Sequence, residues 1–107
     1  MNRFKAILPL IVIAGLVMWS SCKKDENKDV LAAFSFELTA NPGEVIFTNL
    51  SSNADIYEWN FGDGTSSTMI NPTHIYTDND TYIVILKATG SEGNNSVQDT
   101  VIVNNIP

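Results

Sequence analysis

Between Ala33 and Val103, apolar residues recur at every second position in short runs, each closed by Gly, Asn, Asp, Ser or Pro. That alternation is the period of a β-strand, whose successive side chains leave opposite faces. Ala33 to Thr39 sets Phe34, Phe36 and Leu38 on one face, and Val45 to Asn49 does the same with Val45 and Phe47. Ile56 to Phe61 sets Tyr57, Trp59 and Phe61 against Ile56, Glu58 and Asn60. Tyr82 to Ala88 sets Tyr82, Val84, Leu86 and Ala88 against Ile83, Ile85 and Lys87. The last run, Val97 to Val103, carries Val97, Val101 and Val103 but is interrupted by Asp99, which predicts that Asp99 lies where the strand begins or leaves the core edge. Turn signals stand at Asn41-Pro42-Gly43, Gly62-Asp63-Gly64, Asn71-Pro72, Asp78-Asn79-Asp80 and Gly90 to Asn95. No stretch sustains a helical apolar period beyond two turns. The pattern predicts an all-β domain over residues 31–107, two packed antiparallel sheets of about seven strands.

The N-terminus follows another pattern. Arg3 and Lys5 precede an apolar run from Ala6 to Trp19, 14 residues long, and Ser20, Ser21 and Cys22 follow it. Fourteen residues fall short of the roughly 20 that a membrane-spanning helix needs, and the order of basic, apolar and small residues is that of a secretory signal. Residues 1–21 are therefore expected to be a signal peptide. Small residues before a lone cysteine resemble the lipobox of bacterial lipoproteins, with Trp19 standing where that family has an aliphatic residue. The resemblance implies cleavage before Cys22 and lipidation of its sulfur, hence an anchor in a membrane of the cell envelope. Lys23-Lys24-Asp25-Glu26 resembles the export signal with which Bacteroidota lipoproteins reach the outer membrane and the cell surface. Residues 22–30 are polar and aperiodic, so they are expected to be a disordered tether. Fully extended, it would hold the domain within about 30 Å of the lipid.

Composition narrows the function further. The chain has 107 residues and a net charge of −6. Without residues 1–21, which hold two of the six cations, 86 residues would carry −8. So acidic a body repels phosphate, which excludes a nucleic-acid partner. With one Cys and one His, it can close no internal disulfide and assemble no zinc site of several such ligands. A domain this small buries only about two-thirds of its unfolded surface. Large rings must supply much of the core, and Trp59 is its expected centre.

The stretch Tyr57-Glu58-Trp59-Asn60-Phe61-Gly62-Asp63-Gly64, continuing to Asn71-Pro72-Thr73-His74-Ile75-Tyr76 and Thr81-Tyr82-Ile83-Val84, resembles the PKD domain family. Its WDFGDG, NPxHxY and GxYxVxL blocks occur here in order, with Asn60 in place of Asp and Asp80 in place of the Gly before the tyrosine strand. The resemblance covers roughly residues 33–104 and implies an immunoglobulin-like sandwich, mostly an extracellular interaction or spacer module without catalysis. Gly62 and Gly64 suit a sharp turn, and the Asp63 carboxylate can accept hydrogen bonds from turn amides. Tyr76 is placed like a tyrosine corner, Pro72 stiffens the approach to it, and His74 is expected to hold the loop through a hydrogen bond. If the position of Asp80 requires positive φ, that turn is a weak point.

Candidate chemistry is sparse. Ser66, His74 and Asp63 name a possible triad, but the chain lacks a nucleophile elbow. Asp78 and Asp80, with Asp63 or Asp55, are weak calcium candidates without the glycine and distal glutamate of an EF-hand loop. Phe34, Phe36, Phe47, Tyr57, Trp59, Phe61 and Tyr82 all take inward positions, which leaves no ring for a flat sugar platform. Ile56, Ile83, Ile85 and Ile102 take outward positions and form a candidate protein-contact patch. The sequons at Asn49, Asn79 and Asn94 are coincidental in a bacterial lipoprotein, and Asp99-Thr100-Val101 resembles a short O-glycosylation motif. The expectation is a non-catalytic, lipid-anchored envelope protein, needing no cofactor, that acts in protein interaction, adhesion or assembly. The alternative is an accessory subunit that recognises polysaccharide or calcium.

Overall fold

The computed structural model describes residues 28–107. The signal segment, Cys22 and the tether up to Asn27 lie outside these residues. Seven strands follow one another: β1 (Phe34–Leu38), β2 (Glu44–Asn49), β3 (Ile56–Asn60), β4 (Ser66–Ser67), β5 (Thr73–Ile75), β6 (Asp80–Gly90) and β7 (Gly93–Val103). They form two antiparallel sheets, one in the order β1-β2-β5 and one in the order β4-β3-β6-β7. The all-β sandwich expected from the alternation is thus the observed architecture.

Each sheet turns one face inward because its apolar residues share one parity. Val45 and Phe47 of β2 meet Trp59 of β3, Val84 and Leu86 of β6, and Val101 and Val103 of β7. Phe47 and Phe34 both stand against Trp59, with ring centroids 5.3 and 5.1 Å away. Trp59 is fully buried, and its indole N–H donates to the Met69 carbonyl at 2.9 Å. All seven rings expected inside are buried or packed against the core.

Three boundaries differ from the sequence reading. Val30 is buried, the Asp29 carbonyl accepts a hydrogen bond from Asn53, and Leu31 bridges to Ser52. Asp29 and Val30, expected within the tether over 22–30, therefore belong to the folded domain, because one apolar side chain suffices to pin them. The turn expected over Gly90 to Asn95 is only the two-residue Ser91–Glu92 loop. Gly93 there has a φ of +128°, and the polar residues after it continue the β6 register. Backbone pairing extends this hairpin past the alternating segment that revealed it. Asp99 lies in the middle of β7, opposite Val84, and not at the start of the strand. It is tolerated there because β7 is the edge of its sheet.

Candidate functional site

The motif residues converge where the turn after β3 meets β5 of the opposite sheet. Gly62 has a φ of +83°, and a Cβ on it would lie 2.5 Å from the Ile83 carbonyl oxygen, so the turn can pass the β6 backbone only without a side chain. The Asn60 side-chain oxygen accepts from the Gly62 amide at 3.0 Å. Asn60 thus supplies the acceptor that the usual aspartate would place at this turn. Asp63 Oδ1 accepts from the Thr65 amide at 3.1 Å and from the Thr65 hydroxyl, and its Oδ2 lies 2.7 Å from His74 Nε2. The His74 ring stacks on Phe61 at 4.1 Å and stands edge-on to Tyr76 at 4.6 Å. Pro72 is buried, and its carbonyl accepts from the Phe47 amide at 2.9 Å.

Burial pushes the Asp63 carboxyl up, but the hydrogen bonds from Thr65 and His74 outweigh it and hold the group below the usual carboxylate range. Burial raises the Tyr76 phenol well above its ordinary value, and the Asp63 charge adds to the effect. Its hydroxyl donates to the Phe61 carbonyl at 2.8 Å, across the sandwich and 15 residues upstream. The local corner bond belongs instead to Tyr82, whose hydroxyl donates to the Asp78 carbonyl four residues earlier at 2.7 Å. The corner expected at Tyr76 is therefore shared between two stacked rings, 4.0 Å apart. Asp80 does not have positive φ, and its carboxylate accepts from the Thr81 amide, so the weak turn expected there does not arise.

This cluster cannot relay a proton in the manner of a triad. A relay needs the acid on one ring nitrogen and the nucleophile on the other. Here the Thr65 hydroxyl, 3.3 Å away, and Asp63 address the same nitrogen of His74. Ser66 is held in β4 opposite Asn60. Among the described residues, no three His, Cys, Asp or Glu side chains are grouped to hold a metal ion, Asp78 and Asp80 included. The described residues assemble no catalytic site.

The outer face of the four-stranded sheet is different in character. Register places Ile102 beside Thr81, Ile83 beside Thr100, and Ile85 between Asn60 and Gln98. Ile83 is 51% exposed, Ile85 36% and Ile102 58%, and Ile83 joins the other two, being next to Ile85 on the same face of β6 and diagonal to Ile102 of β7. Ile56 does not join them. It pairs with Thr89, about 13 Å along the sheet from Ile85, and the opposed Glu58 and Lys87 stand between. The four-residue patch read from alternation is thus a three-residue patch, since outward parity alone does not report position along the sheet. Next to Ile85 lies a shallow depression of about 260 Å³, lined by Glu58, Asn60, Ser66, Lys87 and Ser96. Sequence reasoning missed this grouping, because only register brings four strands to one spot.

Comparison with known proteins agrees with this arrangement. The family model described as PKD domain matches residues 30–104. The chain belongs to the PKD domain family. The PKD1 domain of the Vibrio cholerae metalloprotease PrtV is 33% identical, with a TM-score of 0.61 over 68% of this chain and 94% of that one. The PKD1 domain of Vibrio anguillarum Epp is 28% identical, with a TM-score of 0.66 over 76% of this chain and all of that one. A stretch of 46 residues, 43% of the chain, is 50% identical to collagenase ColA of Bacillus cereus, of which it spans only 5%.

Proposed function

We propose that this chain is a lipid-anchored protein of the cell envelope whose PKD domain works by binding other proteins, in adhesion or assembly. The observation that carries this reading is the division of apolar surface. The rings described lie inside, while Ile83, Ile85 and Ile102 stand exposed together on the outer face of the sheet, outside the core cluster. Contiguous exposed aliphatics on a rigid sheet suit contact with another protein surface. The anchor is Cys22, and the export signal Lys23-Lys24-Asp25-Glu26 directs the protein to the outer membrane and the cell surface.

Two experiments test the reading. Replacing Ile83 and Ile85 together by lysine should abolish crosslinking of the intact protein to its envelope partners while leaving the melting temperature within a few degrees. An unchanged crosslinking pattern refutes the docking face. Cys22→Ala should release the protein from membranes and abolish labelling with a fatty-acid probe, and membrane retention with labelling intact refutes the anchor.

A second reading is favoured by the depression beside Ile85, where Glu58, Asn60, Ser66, Lys87 and Ser96 could hydrogen-bond a polysaccharide. In that case a glycan array probed with the protein should respond, and Lys87→Ala should erase the response.

A further inference from the structure

The edges of the two sheets are unequal. β4 and β5 are two and three residues long, and β1 has five, whereas β7 presents an eleven-residue edge that no strand among the described residues pairs with. Long edges are normally blunted by lysine, proline, a bulge or an inward-pointing charge. β7 contains no lysine or proline, its register with β6 runs without a break from Gly93 to Val103, and the single inward-parity charge of Asp99 is its only such device, one that disfavours any added strand without a cation to meet it.

Which backbone groups face outward follows from the neighbouring strand. The Ile83 and Thr89 carbonyls of β6 point toward β3, the one against Gly62 and the other accepting from the Asp55 amide. Odd-numbered residues of β6 therefore bond on the β3 side, and its even-numbered residues bond to the odd-numbered residues of β7. The amides and carbonyls of Ser96, Gln98, Thr100 and Ile102 are left facing outward. The Thr100 amide confirms this parity, because it donates at 2.8 Å to the Asp99 carboxylate and not to β6.

Beside this edge the sandwich has a seam. The residues before β1 are tied to β7 by the Ala32 amide on Asn95, and the turn after β1 is tied to the chain after β7 by the Gly43 amide on Asn105. Between the ties Phe36, Leu38 and Val97 are only partly buried. Asp99 is the one charged residue on β7 and has inward parity, between Val97 and Val101.

We propose that the β7 edge accepts an added strand from a protein partner, an extended segment of the pattern apolar-x-basic-x-apolar. Its backbone pairs with the outward groups of Ser96, Gln98, Thr100 and Ile102. Its apolar side chains cover the seam, and its basic side chain takes Asp99, which frees the Thr100 amide for the new ladder. Charge selects this occupant over a second copy of the chain. β7 offers no cation to meet Asp99, and the body as a whole is acidic.

The probe is the blocked peptide Thr-Val-Thr-Lys-Thr-Val-Thr, with a Glu-centred twin, titrated to millimolar concentration against the full chain in detergent micelles. Amide hydrogen exchange at Ser96, Gln98 and Ile102 should slow by roughly 5-fold or more, with Val97 and Val101 unchanged. The Lys peptide should act at about 2- to 5-fold lower concentration than its twin, as expected for an opposite-charge cross-strand pair. Asp99→Asn should erase that preference. Gln98→Pro should abolish the effect and keep the fold, because its amide faces away from β6, and Gln98→Lys should weaken it without any backbone change. Unchanged exchange, equal response to the two peptides, or outward amides already protected by self-association would overturn the proposal. So would loss of the peptide effect in the Ile83→Lys, Ile85→Lys variant, which would assign binding to the outer face instead.

Discussion

His74 Nε2 and Asp63 Oδ2 lie 2.7 Å apart, and this contact ties β5 of the three-stranded sheet to the turn that leaves β3 in the four-stranded one. It is a clasp between layers. The Asp63 carboxylate is also the acceptor that shapes its own turn through Thr65. Asp63→Asn should therefore destabilise the domain by about 1–2 kcal/mol at neutral pH, measured by urea unfolding.

The same carboxylate gives the clasp a pH dependence with a definite sign. Its folded value is depressed, so its stabilisation is complete above the unfolded value near 3.8 and is lost as pH falls through the lower folded value. The stability gap between the native protein and Asp63→Asn should narrow as pH falls below the unfolded value and close once pH has passed below the depressed folded value. Melting curves at stepped pH will show it. A gap that stayed open at the acid end of the series would contradict the assignment.

Gly62 and Gly64 both have positive φ, but only Gly62 lies against another strand. Gly64→Ala should cost about 1 kcal/mol, from backbone strain alone. Gly62→Ala should cost distinctly more, about 2–4 kcal/mol, because its methyl group must push the Ile83 backbone away. Denaturant midpoints of the two variants compare them directly.

Tyr76 and Tyr82 each donate to a carbonyl, but in different surroundings. Tyr76→Phe strands the Phe61 carbonyl in the interior, and about 1–3 kcal/mol should be lost. Tyr82→Phe should cost less, about 0.5–1 kcal/mol, because the Asp78 carbonyl lies beside an exposed residue and water can replace the hydroxyl.

Trp59 is fully buried and touches rings from both sheets. Trp59→Ala should cost about 3–5 kcal/mol, enough to leave so small a domain largely unfolded. Near-ultraviolet circular dichroism at room temperature is the readout.

How much of this was legible varies with the kind of contact. Strand faces were readable because period two is a local property, and Phe34, Phe47, Trp59 and Leu86 all turn inward as their parity requires. The turn glycines and the His74 hydrogen bond were legible from the PKD blocks. The hydroxyl of Tyr76 was harder to place, because its acceptor, Phe61, lies in the turn that leaves β3 of the other sheet. The length of β7 was hidden because Asn94, Asn95 and Ser96 look like turn residues, and only their pairing with β6 makes them a strand.

By itself the sequence determined the all-β class, which rings fill the interior, and the acidic, cysteine-poor character of the body. These follow from composition and from the two-residue period, and neither depends on what lies across a sheet. Only the tertiary structure decided that Ile56 stands apart from Ile83, Ile85 and Ile102, that Asp63 reaches His74, and that β7 is the long edge left unpaired among the described residues. Those outcomes depend on register and strand order, which are set by the packing of residues far apart in the chain.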